Sequence, residues 1–287
     1  MRTALRLLLC WFVFIAALFL SGAVGAALHL HAQSLHGASV QSMLLAQLGA
    51  GLVLVFGLWP LARSLAAPAV ARAASFVAFL FLAFGVNGII EALRFTNFLD
   101  AGIGTAVLFY IFVALFLGIT VGLCFGTAGQ PAGFLHRSWP AFMWRIGAAW
   151  LSWPAVYFFF GMCIAPIVTP YYQAGIAGLR IPPLNVVIET QILRSVFFLV
   201  ATLPFIALWK GSRRNLWLAL GIAHAFTVGL YGIAGGASLP PILRTVHGIE
   251  MTCDAFAYAG ILVLLFASAN EEATERKEEP TRVTVSA

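Results

Sequence analysis

Charge is what this sequence lacks. Only 9% of its 287 residues are Asp, Glu, Lys or Arg, against about 25% in water-soluble domains. The chain therefore falls short of the polar surface that a soluble globule needs. The same scarcity excludes disorder over most of the length, and it leaves no basic face for a nucleic acid. Cysteine is sparse too. Cys10, Cys124, Cys163 and Cys253 are scattered and form no CxxC, which excludes a disulfide framework and a zinc ribbon. Neither HExxH nor GxSxG occurs. There is no nucleotide-binding loop or soluble domain, so ATP-driven transport by this chain alone is excluded.

What the sequence has is long apolar runs, with 62% hydrophobic residues. A membrane-spanning helix needs roughly 20 mostly apolar residues. Eight stretches meet that length: 7–28, 41–61, 72–93, 101–124, 141–166, 184–209, 215–236 and 242–267. Breaks are expected at Pro60 and Pro68, Gly129 to Gly133, Pro166 to Pro183, Gly211 and Ser212, and Gly235 to Pro241. The runs are too long for strands and do not alternate. The reading is an all-α polytopic membrane protein, a bundle of about eight transmembrane helices over 1–270. Residues 271–287 form a charged, disordered tail.

Lysine and arginine set the expected orientation. With the N-terminus inside, Arg2, Arg6, Arg63, Arg72, Arg137, Arg145, Lys210, Arg213, Arg214, Arg276, Lys277 and Arg282 are cytoplasmic. Only Arg94, Arg180 and Arg244 lie on the other side, with Arg194 inside a span. Twelve against three predicts both termini in the cytoplasm, which requires an even number of spans. The net charge of +6 then records topology rather than an anionic partner. A second reading of residues 1–26 stays open. Arg2, Arg6, an apolar core and "SGAVGA" also suit a cleaved secretory signal, although the small residues fit close helix packing equally well.

The acidic residues are the most informative. Glu271, Glu272, Glu275, Glu278 and Glu279 sit in the tail, whereas Glu91, Asp100, Glu189, Glu250 and Asp254 lie in or beside spans three, four, six and eight. A charge at the bilayer centre costs at least about 2.5–3.5 kcal/mol, so such residues pair, line water or act. Asn87, Glu91 and Arg94 are at i, i+4 and i+7, one stripe of span three. Gln191 and Arg194 share a face of span six, with Glu189 rotated away. His247, Glu250 and Asp254 are at i, i+3 and i+7 in span eight, with Arg244 above them. The three stripes are expected to meet as one network open to the outer side.

Arg194 is expected to pair with Glu250, and next with Glu91 or Glu189, since a guanidinium cannot shed its charge. His224 is expected beside Asp254. His247 and Glu250 also have the spacing for two ligands on one metal. His29, His31 and His36, in "HLHAQSLHG", read as interfacial loop residues, with metal binding left open. Tyr171 and Tyr172 read as an outer interfacial belt, and the tryptophans as lipid-facing. Pro154, Pro204 and the glycines at 85, 88 and 102 are candidate helix breaks. "GLWPLARSL" and "ALWKGSRRNL" occupy matching places in the two halves, a faint sign of a four-plus-four duplication.

Three functions fit these residues. The first is a permease-like inner-membrane protein whose outward-facing charged site takes a small solute, ion or proton. Its partners are the lipid bilayer and that solute, with no cofactor. The second is an intramembrane, metal-dependent hydrolase-like enzyme at the outer leaflet, which needs a divalent metal. The third is an accessory subunit or scaffold held by ion pairs.

Overall fold

The structure, a computed structural model, describes residues 2–31, 38–97, 99–100, 102–135 and 138–267. His36, Arg137 and the charged tail lie outside the described residues. Eight helices are long and apolar enough to cross a membrane: α1 (Arg2–Ala27), α2 (Val40–Ala62), α3 (Ala69–Phe95), α4 (Ile103–Cys124), α5 (Trp139–Gln173), α6 (Leu184–Leu208), α7 (Arg213–Gly235) and α8 (Pro241–Phe266). Two isolated backbone bridges are the only strand-like pairings among the described residues. Large apolar side chains are exposed on the outside of the bundle, Val70 at 79% and Met162 at 68%, as suits an integral membrane protein.

Local chemistry explains half of the eight helix starts. The hydroxyl of Ser39 accepts from the Ser42 N–H at 3.1 Å, and that of Ser212 from the Asn215 N–H at 3.3 Å, each satisfying an orphan donor. Pro140 and Pro241 occupy first-turn positions of α5 and α8, where a missing N–H is harmless. The expected break at Pro166 is absent. α5 runs on to Gln173 with Pro154, Pro166 and Pro170 inside it, and α6 runs straight through Pro204. A proline removes one intrahelical donor, but neighbouring helices tolerate the freed carbonyl within a membrane bundle.

Loop contacts fix how the helices alternate. At one end, the loops after α2, α4 and α6 are knitted together. The Ala66 N–H donates to Leu208 O, Lys210 N–H to Ser64 O, Thr127 N–H to Leu65 O and Ala132 N–H to Trp209 O, all within 3.0 Å. This joins the two similar segments, "GLWPLARSL" and "ALWKGSRRNL", to each other. At the other end, the Arg180 N–H donates to Phe95 O and Asn97 N–H to Gly178 O. Arg180 also pairs with Asp100 at 3.0 Å on the surface, a contact of little energetic weight. The Thr105 hydroxyl donates to the His31 carbonyl at 2.7 Å. The two groups of loops are called here the Arg63 end and the Arg180 end.

α3 and α4 cross most closely. An added Cβ at Gly122 would stand 2.3 Å from the Ala73 Cα, and one at Gly118 2.8 Å from the Val77 nitrogen. This small-xxx-small pair lets the two backbones touch. Three π-helical turns, Leu80–Val86, Val113–Leu117 and Ala225–Leu230, interrupt α3, α4 and α7 midway. Such turns widen a helix locally and recur at functional sites.

Candidate functional site

Arg194 is the centre of the polar interior. It is 2% exposed, and its side chain leaves α6 toward α3. One terminal nitrogen donates to Glu91 Oε2 at 2.8 Å, Nε to Asn87 Oδ1 at 3.4 Å, and the other terminal nitrogen to Gln191 Oε1 at 3.4 Å. The rings of Trp153 and Phe198 flank it at 5.9 and 5.6 Å, within cation–π range. Gln191 Oε1 also accepts from the Trp153 indole N–H at 3.0 Å. The Leu82 carbonyl, which accepts the Asn87 backbone N–H at the end of the π-helical turn of α3, also accepts from the Asn87 side-chain amide at 3.1 Å.

The partner of Arg194 is therefore Glu91 and not Glu250. The reason is packing: α6 lies against α3, whereas α8 lies mainly against α5 and α7. Glu250 instead accepts from His247 Nδ1 at 2.7 Å, and His247 Nε2 meets the Tyr172 hydroxyl at 3.3 Å. The carboxylate fixes Nδ1 as the protonated nitrogen, so Nε2 accepts from the tyrosine. Tyr172, expected in an interfacial belt, belongs to the site because α5 runs seven residues past its expected end, from 166 to 173.

Two cavities meet at this group. One, of about 250 Å³, is walled by Glu91, Tyr110, Thr227, Tyr231, His247 and Met251, and extends to Thr96, Leu179 and Leu239 in the Arg180-end loops. A second, of about 270 Å³, lies among α5, α6 and α8, with Glu250 and Arg180 in its wall. Phe95, Tyr172 and His247 line both. The Glu91 side chain is 40% exposed, so the first cavity, the chamber, reaches a carboxylate already held by a buried guanidinium.

Other expected members fall elsewhere. Glu189 is exposed in the second turn of α6, away from Arg194. Arg94 is exposed in the last turn of α3. The Arg244 Nε donates to the Ile233 carbonyl at 3.0 Å, which caps the end of α7 rather than serving a carboxylate. His224 does not hydrogen-bond Asp254. Its Nε2 lies 2.8 Å from the Thr202 hydroxyl, whose own proton goes to the Phe198 carbonyl at 2.7 Å. Nε2–H must then be the donor. The ring packs edge-on against Phe79, Phe198 and Tyr258, a core histidine deeper in the bundle. Replacing Thr202 with Val leaves that N–H buried without a partner, and the expected loss is about 1–3 kcal/mol. Thr202→Ser should retain most of the stability, read as thermal unfolding in detergent.

Sequence reading also missed Trp153, which is 4% exposed and holds Gln191 in place. Nothing in its composition or spacing separates it from the exposed Trp139 and Trp144. Among the described residues, no three His, Cys, Asp or Glu side chains come together to hold a metal, so His247 and Glu250 have each other but no third ligand of that kind. No family model, curated protein or solved structure matches the chain.

Proposed function

We propose that the chain is a permease-like protein of the inner membrane whose chamber binds a small polar solute. Both termini are cytoplasmic in this reading, and the chamber opens outward at the Arg180 end. The orientation rests on the twelve-to-three distribution of Lys and Arg. The observation that carries the function is the meeting of a stripe from α3 with one from α8 at a cavity inside the bundle, with α6 supplying the counter-charge. Intramembrane ionisable groups beside a cavity mark solute and ion paths. Tyr110, Tyr172 and Tyr231 supply apolar faces with polar tips, while Glu91 and His247 supply charge or hydrogen bonds. That lining suits a compact solute with polar groups on an apolar frame.

The test is a thermal-shift screen of free amino acids, polyamines, sugars and nucleosides against the full chain in detergent. A bound solute at about 100 times its Kd adds roughly 2.7 kcal/mol. The expected result is stabilisation of the native chain by one class and none of the Arg194→Met/Glu91→Gln variant. Equal effects on both proteins, or no effect from any class, would contradict the reading. Flux of the stabilising solute in liposomes then separates a carrier from an enzyme.

A further inference from the structure

Asp254 has no place in the solute site, yet it is the most enclosed acid among the described residues. It is 1% exposed, and neither carboxyl oxygen has a hydrogen-bond partner among the described residues. An ionised carboxylate in that position carries a desolvation penalty that no hydrogen bond repays. Arg194, the cation that acts on it across the interior, is held by Glu91, and His224 is bonded to Thr202. The charged groups acting on Asp254 across the interior are Glu250, Arg194 and Glu91, and two of these three are acids. A metal cation would need several oxygen ligands, and no acid or histidine cluster gathers there among the described residues.

We propose that Asp254 is the proton-carrying site of the bundle, loaded and unloaded through Tyr172, His247 and Glu250. These residues run inward from the chamber. Tyr172 meets Nε2 of His247, Nδ1 meets Glu250, and Glu250 lies one helical turn from Asp254 on the same face of α8. A histidine held at both nitrogens can accept a proton on one side as it releases one on the other. In loading, a hydronium ion in the chamber protonates the tyrosine oxygen, leaving water, as the tyrosine's own proton passes to Nε2. The Nδ1 proton moves to Glu250, and Glu250 passes a proton to Asp254. Each O–H or N–H bond that forms replaces one that breaks, and no electrons change hands. Unloading runs the same steps backward and restores the ring's starting tautomer.

The inference rests on the transport reading for what the proton is used for, namely coupling to solute movement, but not for the proton's presence. The sequence contains two aspartates, Asp100 and Asp254, and Asp100 is an exposed, arginine-paired carboxylate. Carboxyl-labelled [13C]aspartate therefore reports Asp254 cleanly in the unmutated full chain. In lipid nanodiscs at neutral pH, infrared spectra should contain a label-sensitive band of a protonated acid. After transfer to D2O, that band should shift at least about tenfold more slowly in His247→Phe and in Tyr172→Phe than in the native chain. Absence of the acid band would overturn the proton site, whatever the solute screen shows. Equal exchange in the native chain and in either folded variant would overturn the relay, and Tyr172→Phe decides if His247→Phe does not fold. Neither measurement involves a solute, so failure here and failure of the transport reading are separate results.

Discussion

Glu91→Gln should destabilise the bundle by about 3–5 kcal/mol, the range for breaking a buried ion pair, and should cost more than Arg194→Met. The asymmetry comes from exposure. Arg194 is 2% exposed and Glu91 is 40% exposed on its side chain. Removing the acid leaves a guanidinium that cannot neutralise itself sealed among Trp153, Phe198 and two amides. Removing the arginine leaves a carboxylate that the chamber can hydrate, together with an unfilled acceptor on Asn87, while Gln191 Oε1 keeps the Trp153 N–H, for about 1–3 kcal/mol. The double variant should lose less than the sum of the two. Thermal unfolding in detergent measures all four corners of the cycle. Glu250→Gln combined with Arg194→Met is the control, and its losses should add within about 0.5 kcal/mol, because Glu250 is paired with His247. Additive losses at 91 and 194 would refute the pairing.

Gly122→Ala should cost at least about 3 kcal/mol, the upper end of what overpacking exacts. The new methyl would meet Ala73 Cα at 2.3 Å and Ala73 N at 2.4 Å. These are backbone atoms, so no rotamer change makes room, and α3 must move away from α4. That shift would also disturb the Arg72 Nε–Gly122 carbonyl hydrogen bond of 3.0 Å and move the helix that carries Asn87 and Glu91. Gly147→Ala in α5 is the opposite case, since an added Cβ meets nothing within 4 Å. There the usual helix preference for alanine should show as a gain of about 0.5–1 kcal/mol. Denaturant titration of the purified proteins should give the two opposite signs. A neutral Gly122→Ala would mean that the α3–α4 contact is looser than described.

Periodicity and length were enough to read all eight helices, because each apolar run exceeds the membrane thickness and polar turns separate the runs. The end of α5 was not legible. Pro166 breaks a helix in water, but within this bundle the helix continues for two more turns, and Tyr172 enters the site only through that extension. The polar stripes of α3 and α8 were also legible, from spacing along single helices. Their pairing was not. Depth along the spans ranks Glu250 ahead of Glu91 for Arg194, and the packing of α6 against α3 reverses that order. The same holds for His224, which matched Asp254 in depth but is bonded to Thr202 on α6. Glu189 shows the limit of counting acids. Two residues nearer the helix start than Gln191, about half a turn, it points away from the interior and belongs to the exposed surface.

Cysteine accessibility tests the central claim, a water-reached chamber open at one end. In a background with the four native cysteines replaced by alanine, Gly232→Cys places a thiol on the chamber wall, where an added Cβ meets open space. Val200→Cys places one on the exposed apolar side of α6, at a position 50% exposed. Thiolate chemistry requires water, so a charged, membrane-impermeant reagent discriminates between the two. The account predicts that Gly232→Cys is modified in right-side-out vesicles, from the same side as Arg180→Cys, and that Val200→Cys is inert from both sides. A Gly232→Cys as inert as Val200→Cys, or one reached only from the side that labels Arg63→Cys, would contradict it.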